Sequence, residues 1–218
     1  MGRLVCARLA SDGHVVKAFD LATANFADLP QGVTALPGDL TSVEDIQAAV
    51  EGVDAVVHLA AETGTGQSMY QIARYNEVNA QGTAALLDVI ANASRPTVKR
   101  VLLASSRSVY GEGAYECRVC DSGSRQFPRS RTSEALAMGK WEPECELCSS
   151  PLQSVPTRES DPPQPGSIYA ATKLAQEALI SVSCEALGIP YGLLRLQNVY
   201  GEGQSLQNPY TGILSIFS

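Results

Sequence analysis

The sequence predicts an α/β fold built on a doubly wound parallel sheet, and three observations predict it. Short β-rich runs alternate with amphipathic helical stretches in the first half of the chain, and the same alternation returns in the final third. The chain has 218 residues, 44% hydrophobic and 18% charged, which is enough for one substantial core. Strands separated by helices pair in parallel, because a parallel pair needs a long crossover connection.

In chain order, His14-Val-Val-Lys-Ala-Phe-Asp20 reads as a strand, Val33-Thr-Ala-Leu-Pro37 as a short one, and Asp54-Ala-Val-Val-His-Leu-Ala-Ala61 as a third. Thr41-Ser-Val-Glu44 has the form of a capping box and opens a helix through about Glu51. A longer helical pattern over roughly 68 to 93 leads into the strand Lys99-Arg-Val-Leu-Leu-Ala-Ser105. A helix then runs from about Ile168 to Leu187, stopped by Gly188 and Pro190, and is followed by the strand Tyr191-Gly-Leu-Leu-Arg-Leu196. Residues 112 to 166 break this rhythm. They are rich in Cys, Pro, Ser and Arg and too long for a structureless loop, so they read as an inserted module.

Bulk charge narrows the function. Sixteen basic residues against 23 acidic ones give a net charge of −7, with no basic patch, which argues against nucleic acid or an acidic membrane surface as partner. No apolar run approaches the ~20 residues of a membrane span, and the opening Met1-Gly-Arg-Leu-Val-Cys6 fits neither a signal peptide nor a myristoylation site. Cytoplasmic residence is the expectation. The six cysteines agree, since four of them form two tight Cys-x-x-Cys pairs rather than a disulfide framework.

Candidate chemistry begins at Tyr169-Ala-Ala-Thr-Lys173. On a helix these two residues share a face, and an ammonium beside a phenol favours the phenolate, which is a base for proton transfer. Ser106, at the end of the preceding strand, is placed to hold the reacting oxygen. Spacing alone is weak evidence, since a Tyr and a Lys four apart occur by chance in many helices. Asp20 ends a strand where dinucleotide-binding folds place an acid for the adenosine ribose. Leu21 and Ala22 follow it instead of Arg, so NAD is favoured over NADP, with a solvated turn aspartate as the plain alternative. Gly38-Asp39-Leu40 falls at another strand end, beside the expected adenine. A complete Rossmann-like start has a buried strand and then a glycine-rich turn at a helix N-terminus; only Gly2 stands where the last glycine belongs. The expected sheet therefore lacks its first, central strand and most phosphate contacts, leaving two strand edges exposed.

Cys117-x-x-Cys120 and Cys145-x-x-Cys148, separated by 24 residues, suit a tetrahedral zinc site of zinc-ribbon type. A closed site of four sulfurs would fold the insert without activating water, and free or redox-active thiols are the alternative. Five basic and five acidic residues between 117 and 148 make this module a poor phosphate binder. His14 and His58 read as packing residues in strands, and Cys6 and Cys184 as small buried side chains.

Taken in order, Asp20, Asp39-Leu40, His58-Leu-Ala-Ala61, Asn79-Ala-Gln-Gly-Thr83, Ser105-Ser106-x-x-Val-Tyr-Gly111, Tyr169-x-x-x-Lys173 and Arg195-Leu-Gln-Asn-Val-Tyr-Gly201 resemble the extended short-chain dehydrogenases/reductases. Within them the chain is similar to the NAD-dependent nucleotide-sugar epimerases and dehydratases. The resemblance implies Ser106, Tyr169 and Lys173 as catalytic residues. It implies Gly2, Asp20, Asp39, Leu40, Ala60, Ala61, Asn79 and Lys173 as the NAD-binding set, and Ser106 and Asn198 as contacts to a nucleotide-sugar. Arg107 and Ser108 stand where 4,6-dehydratases carry Asp-Glu, which disfavours dehydration. The insert, Trp141-Glu-Pro-Glu-Cys-Glu-Leu-Cys148 and the segment from Gln197 to Phe217 resemble the branch that inverts C4 of dTDP-L-rhamnose.

The resemblance further implies one partial NAD-binding domain over residues 1–218, interrupted by the 112–166 insert, with most of a C-terminal substrate domain beyond Ser218 and pairing of two copies through the helices near 68–93 and 168–187. A net reductase or dehydrogenase of the same superfamily, and a non-catalytic binding module organised by zinc, are the competing readings.

Overall fold

A computed structural model of the chain describes residues 1–120 and 124–201. Helix α1 (Gly2–Ser11) passes through a turn at Gly13, φ 87°, into β1 (Val16–Asp20). That turn delays the strand by two residues and leaves His14 exposed, so His14 is not the packed strand residue expected. Strand β2 (Val33–Pro37) has the expected bounds. Helix α2 (Val43–Val50) is capped by Ser42, whose Oγ accepts from the Asp45 N–H at 3.2 Å, one residue later than the expected box. Thr41 donates its N–H and its hydroxyl to the Asp39 carboxylate, 2.8 Å each.

Strand β3 (Ala55–His58) and a short α3 (Thr65–Ser68) lead to α4 (Ile72–Tyr75), which continues through a π-helical turn (Asn76–Gln81) into α5 (Gly82–Ala91). The predicted helix is therefore present but carries one widened turn. Strand β4 (Arg100–Ser106) runs into a 3-10 turn at Arg107–Tyr110. The insert contributes β5 (Ala114–Glu116), β6 (Arg125–Gln126), α6 (Ser133–Ala137) and β7 (Gln153–Val155). Helix α7 (Ile168–Leu187) and β8 (Tyr191–Leu196) match the sequence reading, with Gly188 in the left-handed conformation, φ 66°, ending the helix.

The parallel strands fall into two sheets, β1–β2 and β3–β4–β8. Among the described residues β1 pairs only with β2 and β3 only with β4, so each keeps one unpaired edge and the expected single sheet is divided there. The core lies where α2, α5 and α7 pack on these strands: Leu40, Ile46, Leu86, Leu87, Ile90, Val101, Leu103 and Ile180 are all buried. Each such side chain contributes roughly 1.5–3 kcal/mol by leaving water. Helix α5 approaches closely because Gly82 has no Cβ; one would sit 2.8 Å from Leu40 Cγ.

The insert is an antiparallel sheet, order β6–β5–β7, with its own small core of Tyr115, Cys117, Cys145 and Leu152. A shielded ion pair between Arg125 and Asp161 and another between Arg131 and Glu112, 2.9 Å, tie separate stretches of the insert to one another. No helix among the described residues is long and apolar enough to cross a membrane.

Candidate functional site

Strand β4 alternates buried and half-buried positions, so Val101, Leu103 and Ser105 face the core while Ser106 emerges at the carboxyl end. Ser106 then caps the 3-10 turn: its Oγ accepts from the Ser108 N–H at 3.2 Å and from the Ser108 hydroxyl at 2.8 Å. Helix α7 begins beside it, capped by Ser167, whose Oγ accepts from the Ala170 N–H at 3.1 Å. Tyr169 lies in the first turn and Lys173 one turn on.

The three residues assigned to proton transfer meet here. Burial, the larger effect, pushes the Tyr169 phenol above its ordinary pKa, while the neighbouring Ser106 hydroxyl draws it down. Lys173 is 2% exposed, its Nζ 6.0 Å from the Tyr169 ring centroid. The ammonium donates to the Ala104 carbonyl at 2.9 Å, and burial brings its pKa down to about 8. The phenol is thus raised rather than lowered, contrary to the spacing argument, because its burial outweighs the groups that favour the phenolate.

Two residues that the sequence reading passed over orient this pair. Tyr75 packs edge-on against Tyr169, ring centroids 6.5 Å apart at 88°, and its hydroxyl donates to the carbonyls of Thr63 and Gly64. Thr172 accepts from Asn79 Nδ2 at 3.0 Å. Asn79 itself is fully buried in the π-helical turn, with Oδ1 accepting from the Glu62 N–H at 2.8 Å and Nδ2 also donating to the Glu62 carbonyl at 3.1 Å. Its amide acts as a strut between the chain after β3 and α7. A widened helical turn at such a place is a frequent companion of functional sites.

The remaining residues of the NAD-binding set lie along the carboxyl ends of the parallel strands, where open α/β sheets hold ligands. Asp20 is exposed at the end of β1, one carboxylate oxygen accepting from the Leu21 N–H at 2.8 Å. Beside it opens a crevice of about 450 Å³ lined by Leu21, Ala22, Thr23, Pro37, Gly38, Asp39 and Asp45. Gly38 lets the Phe19 ring pack against the backbone there, where a Cβ would clash with it. This lining holds two acids and no cation, which suits unphosphorylated adenosine ribose hydroxyls and repels a 2′-phosphate. The Asp39 carboxyl is held below its usual range by the Thr41 N–H and hydroxyl. The Leu40 side chain packs in the core. Ala60 and Ala61 follow β3, half-buried, and Gly2 opens α1, a helix without a side-chain cap at its N-terminus. Asn198 is exposed just after β8.

The four insert cysteines come together as expected: their sulfurs all lie within 4.8 Å of one another, with neighbours at 3.5–3.6 Å. Four sulfurs around zinc at ~2.3 Å stand roughly 3.7 Å apart, so the set fits a tetrahedral ion. The Val119 N–H donates to Cys117 Sγ at 3.4 Å, the backbone-to-sulfur bond that orients a ligand thiolate.

Comparison with known proteins gives a consistent picture. The sequence profile of the NAD dependent epimerase/dehydratase family matches residues 1–140 and 146–217. The chain is 43% identical over 164 residues to the dTDP-L-rhamnose 4-epimerase of Burkholderia thailandensis, a match covering 75% of this chain and 42% of that protein. It is 27% identical over 195 residues to the UDP-glucose 4-epimerase of Halalkalibacterium halodurans, covering 88% and 46% respectively. Among solved structures, the Thermotoga maritima UDP-glucose 4-epimerase with UDP-glucose superimposes with a TM-score of 0.73 at 22% identity, over 99% of this chain and 58% of that one. The Thermus thermophilus UDP-glucose 4-epimerase complexed with NAD gives a TM-score of 0.63 at 25% identity, over 94% and 53%. The chain spans about half the length of the relatives it matches.

Proposed function

Because the chain belongs to the NAD-dependent epimerase/dehydratase family, we propose that it forms the nucleotide-binding and catalytic part of a nucleotide-sugar 4-epimerase acting on dTDP-L-rhamnose or a close relative. The observation that carries this reading is the meeting of Ser106, Tyr169 and Lys173 at the carboxyl end of β4, in a chain that also has a crevice suited to NAD at the carboxyl ends of β1 and β2. Bound NAD+ supplies a hydride acceptor that can return the hydride within the same turnover. The chain's own residues do the rest. Ser106 hydrogen-bonds the sugar 4-oxygen, Tyr169 as phenolate takes the 4-hydroxyl proton, and Lys173 supplies the positive charge that favours the phenolate and reaches the nicotinamide ribose. The 4-keto sugar turns over before reduction on its other face, where Tyr169 gives the proton back. Asp20 accepts the adenosine ribose hydroxyls, and Asn198 contacts the nucleotide-sugar.

The deoxysugar assignment is supported by the 43% identity to the Burkholderia enzyme and by Arg107 and Ser108, which lack the carboxylates that water elimination needs. UDP-glucose epimerases among the relatives favour a UDP-hexose as the second reading. In the same reading the four cysteines hold a structural zinc, supported by sulfurs 3.5–3.6 Å apart. It places the enzyme in the cytoplasm, where thiolates stay reduced, with two copies pairing through α5 and α7. Incubation with dTDP-L-rhamnose, then UDP-glucose, at catalytic NAD+ tests the reaction: NMR should show the C4 epimer of the first. Stoichiometric NADH would instead identify a dehydrogenase.

A further inference from the structure

Glu177 lies on α7 four residues beyond Lys173 and eight beyond Tyr169, on the face they share, yet its carboxylate touches neither. It is 4% exposed and takes bonds from two strands at once. The Ser105 hydroxyl donates to Oε1, and Arg195 on β8 donates from Nε at 3.0 Å to Oε1 and from Nη2 at 2.7 Å to Oε2. A bidentate guanidinium–carboxylate pair fixes angle as well as distance. Arg195 also stacks over the Tyr110 ring, 4.7 Å from its centroid, and donates from Nη1 to the Tyr110 hydroxyl at 2.7 Å and to the Glu159 carbonyl at 3.3 Å.

These bonds join β8 to four other segments. Ser105 immediately precedes Ser106, Tyr110 closes the turn that Ser106 caps, and Glu177 rides on the helix of Tyr169. Glu159 belongs to the returning leg of the insert, two residues before Asp161, which is paired with Arg125. We propose that the Glu177–Arg195 pair is the positioning device for proton transfer: it sets α7 against β4 so that the Tyr169 phenol meets Ser106, and it couples the insert to that setting through Tyr110 and Glu159. The pair touches neither cofactor nor substrate and acts through the residues it holds. Its burial explains why a salt bridge is used here: removing one partner strands the other charge in a water-poor place, so the arrangement has one geometry.

This inference rests on the epimerase reading for its kinetic arm only. In the full chain, Glu177→Gln keeps the volume and the Ser105 bond but loses the charged fork. Arg195→Lys keeps a cation but cannot hold the carboxylate and the phenol together. Both should lower kcat per folded molecule by about tenfold or more with KM within about threefold, because geometry at the reacting atoms is lost while sugar contacts remain. Crystal structures of the variants should show Tyr169 and Ser106 parted by more than about 0.5 Å, the tolerance of a working constellation. If Glu177→Gln does not fold, Arg195→Lys carries the test. A variant that is only less thermostable, with kcat and the Tyr169–Ser106 separation unchanged, overturns the proposal. A wild type inactive on every nucleotide-sugar counts against the epimerase reading, and the structural arm still decides this one.

Discussion

Lys173 donates its ammonium to the carbonyl of Ala104 at 2.9 Å, which ties α7 to β4 two residues short of Ser106. The bond satisfies a charge that is almost wholly buried, and it directs the ammonium along the strand rather than at the phenol. Burial alone lowers the lysine to about 8, so near neutral pH it still carries most of its charge. Tyr169, pushed upward by burial, depends on that charge and on Ser106 to become a base.

Removing the phenolic oxygen should therefore stop the reaction without unfolding the chain. Tyr169→Phe keeps the ring against Tyr75 and is expected to lower kcat by about 10²- to 10⁴-fold, the usual contribution of a placed acid–base. Ser106→Ala should also lower kcat, by less, since it removes one hydrogen bond to the reacting oxygen. Steady-state kinetics on both variants, with circular dichroism to verify folding, measure this.

Stability should fall in mild acid through His58. Burial first, and the nearby Lys173 charge second, take its pKa from 6.5 to about 3. The Thr83 hydroxyl spends its proton on the Asn79 carbonyl at 2.6 Å, so His58 Nε2, 2.8 Å from that oxygen, is the N–H donor of a neutral ring. The unfolded chain binds a proton that the folded one refuses between pH 6.5 and about 3. The histidine's contribution is complete above 6.5 and is lost as pH falls through that window, by up to ~1.4 kcal/mol per pH unit. Urea unfolding of wild type and His58→Gln at several pH values should show a steeper acid loss in the wild type; parallel curves would contradict it.

Metal should be needed by the insert. The chain purified without chelator is expected to hold about one zinc per molecule, released by Cys117→Ser and Cys145→Ser, which each break the tetrahedron. Elemental analysis checks the stoichiometry. Loss of the metal should also unlock the small core of Tyr115 and Leu152, read as faster proteolysis within 112–166.

Gly111 is a position where only glycine fits. Its φ is 63°, and a Cβ there would stand 2.3 Å from the Gln164 carbonyl oxygen. The close approach lets the Gln164 N–H reach the Val109 carbonyl at 2.8 Å, closing the insert at its base. Gly111→Ala should cost on the order of 2 kcal/mol or more, seen as a lowered denaturant midpoint, because positive φ and a backbone clash add.

The sequence made the long, strongly periodic elements legible. Helix α7 shows its buried face at Ala170, Lys173, Glu177, Ile180 and Cys184, spaced by three and four, and Gly188 supplies its end. Strand β4 shows its alternation. The proximity of the three residues proposed for catalysis was legible because each sits at the end or in the first turns of such an element. What stayed hidden depends on distant partners. The π-helical turn has no local signal: Asn79 is held by Glu62 and by Thr172, 93 residues away. The insert strands are two or three residues long and are held by sulfurs and the Arg125–Asp161 pair rather than by a pattern. Spacing placed Lys173 near Tyr169 but could not give the direction of its ammonium, and a turn at Gly13 took His14 out of the strand. The segment from 202 onward, which carries part of the family resemblance, lies outside the described residues.

The central claim is that one site oxidises and re-reduces the same carbon. A nucleotide-sugar carrying deuterium at C4, incubated with the protein and a trace of NAD+, measures it directly. Product inverted at C4 with the deuterium retained, and no net NADH, is expected. Inversion with deuterium lost to solvent, or deuterium accumulating on the cofactor, would contradict it.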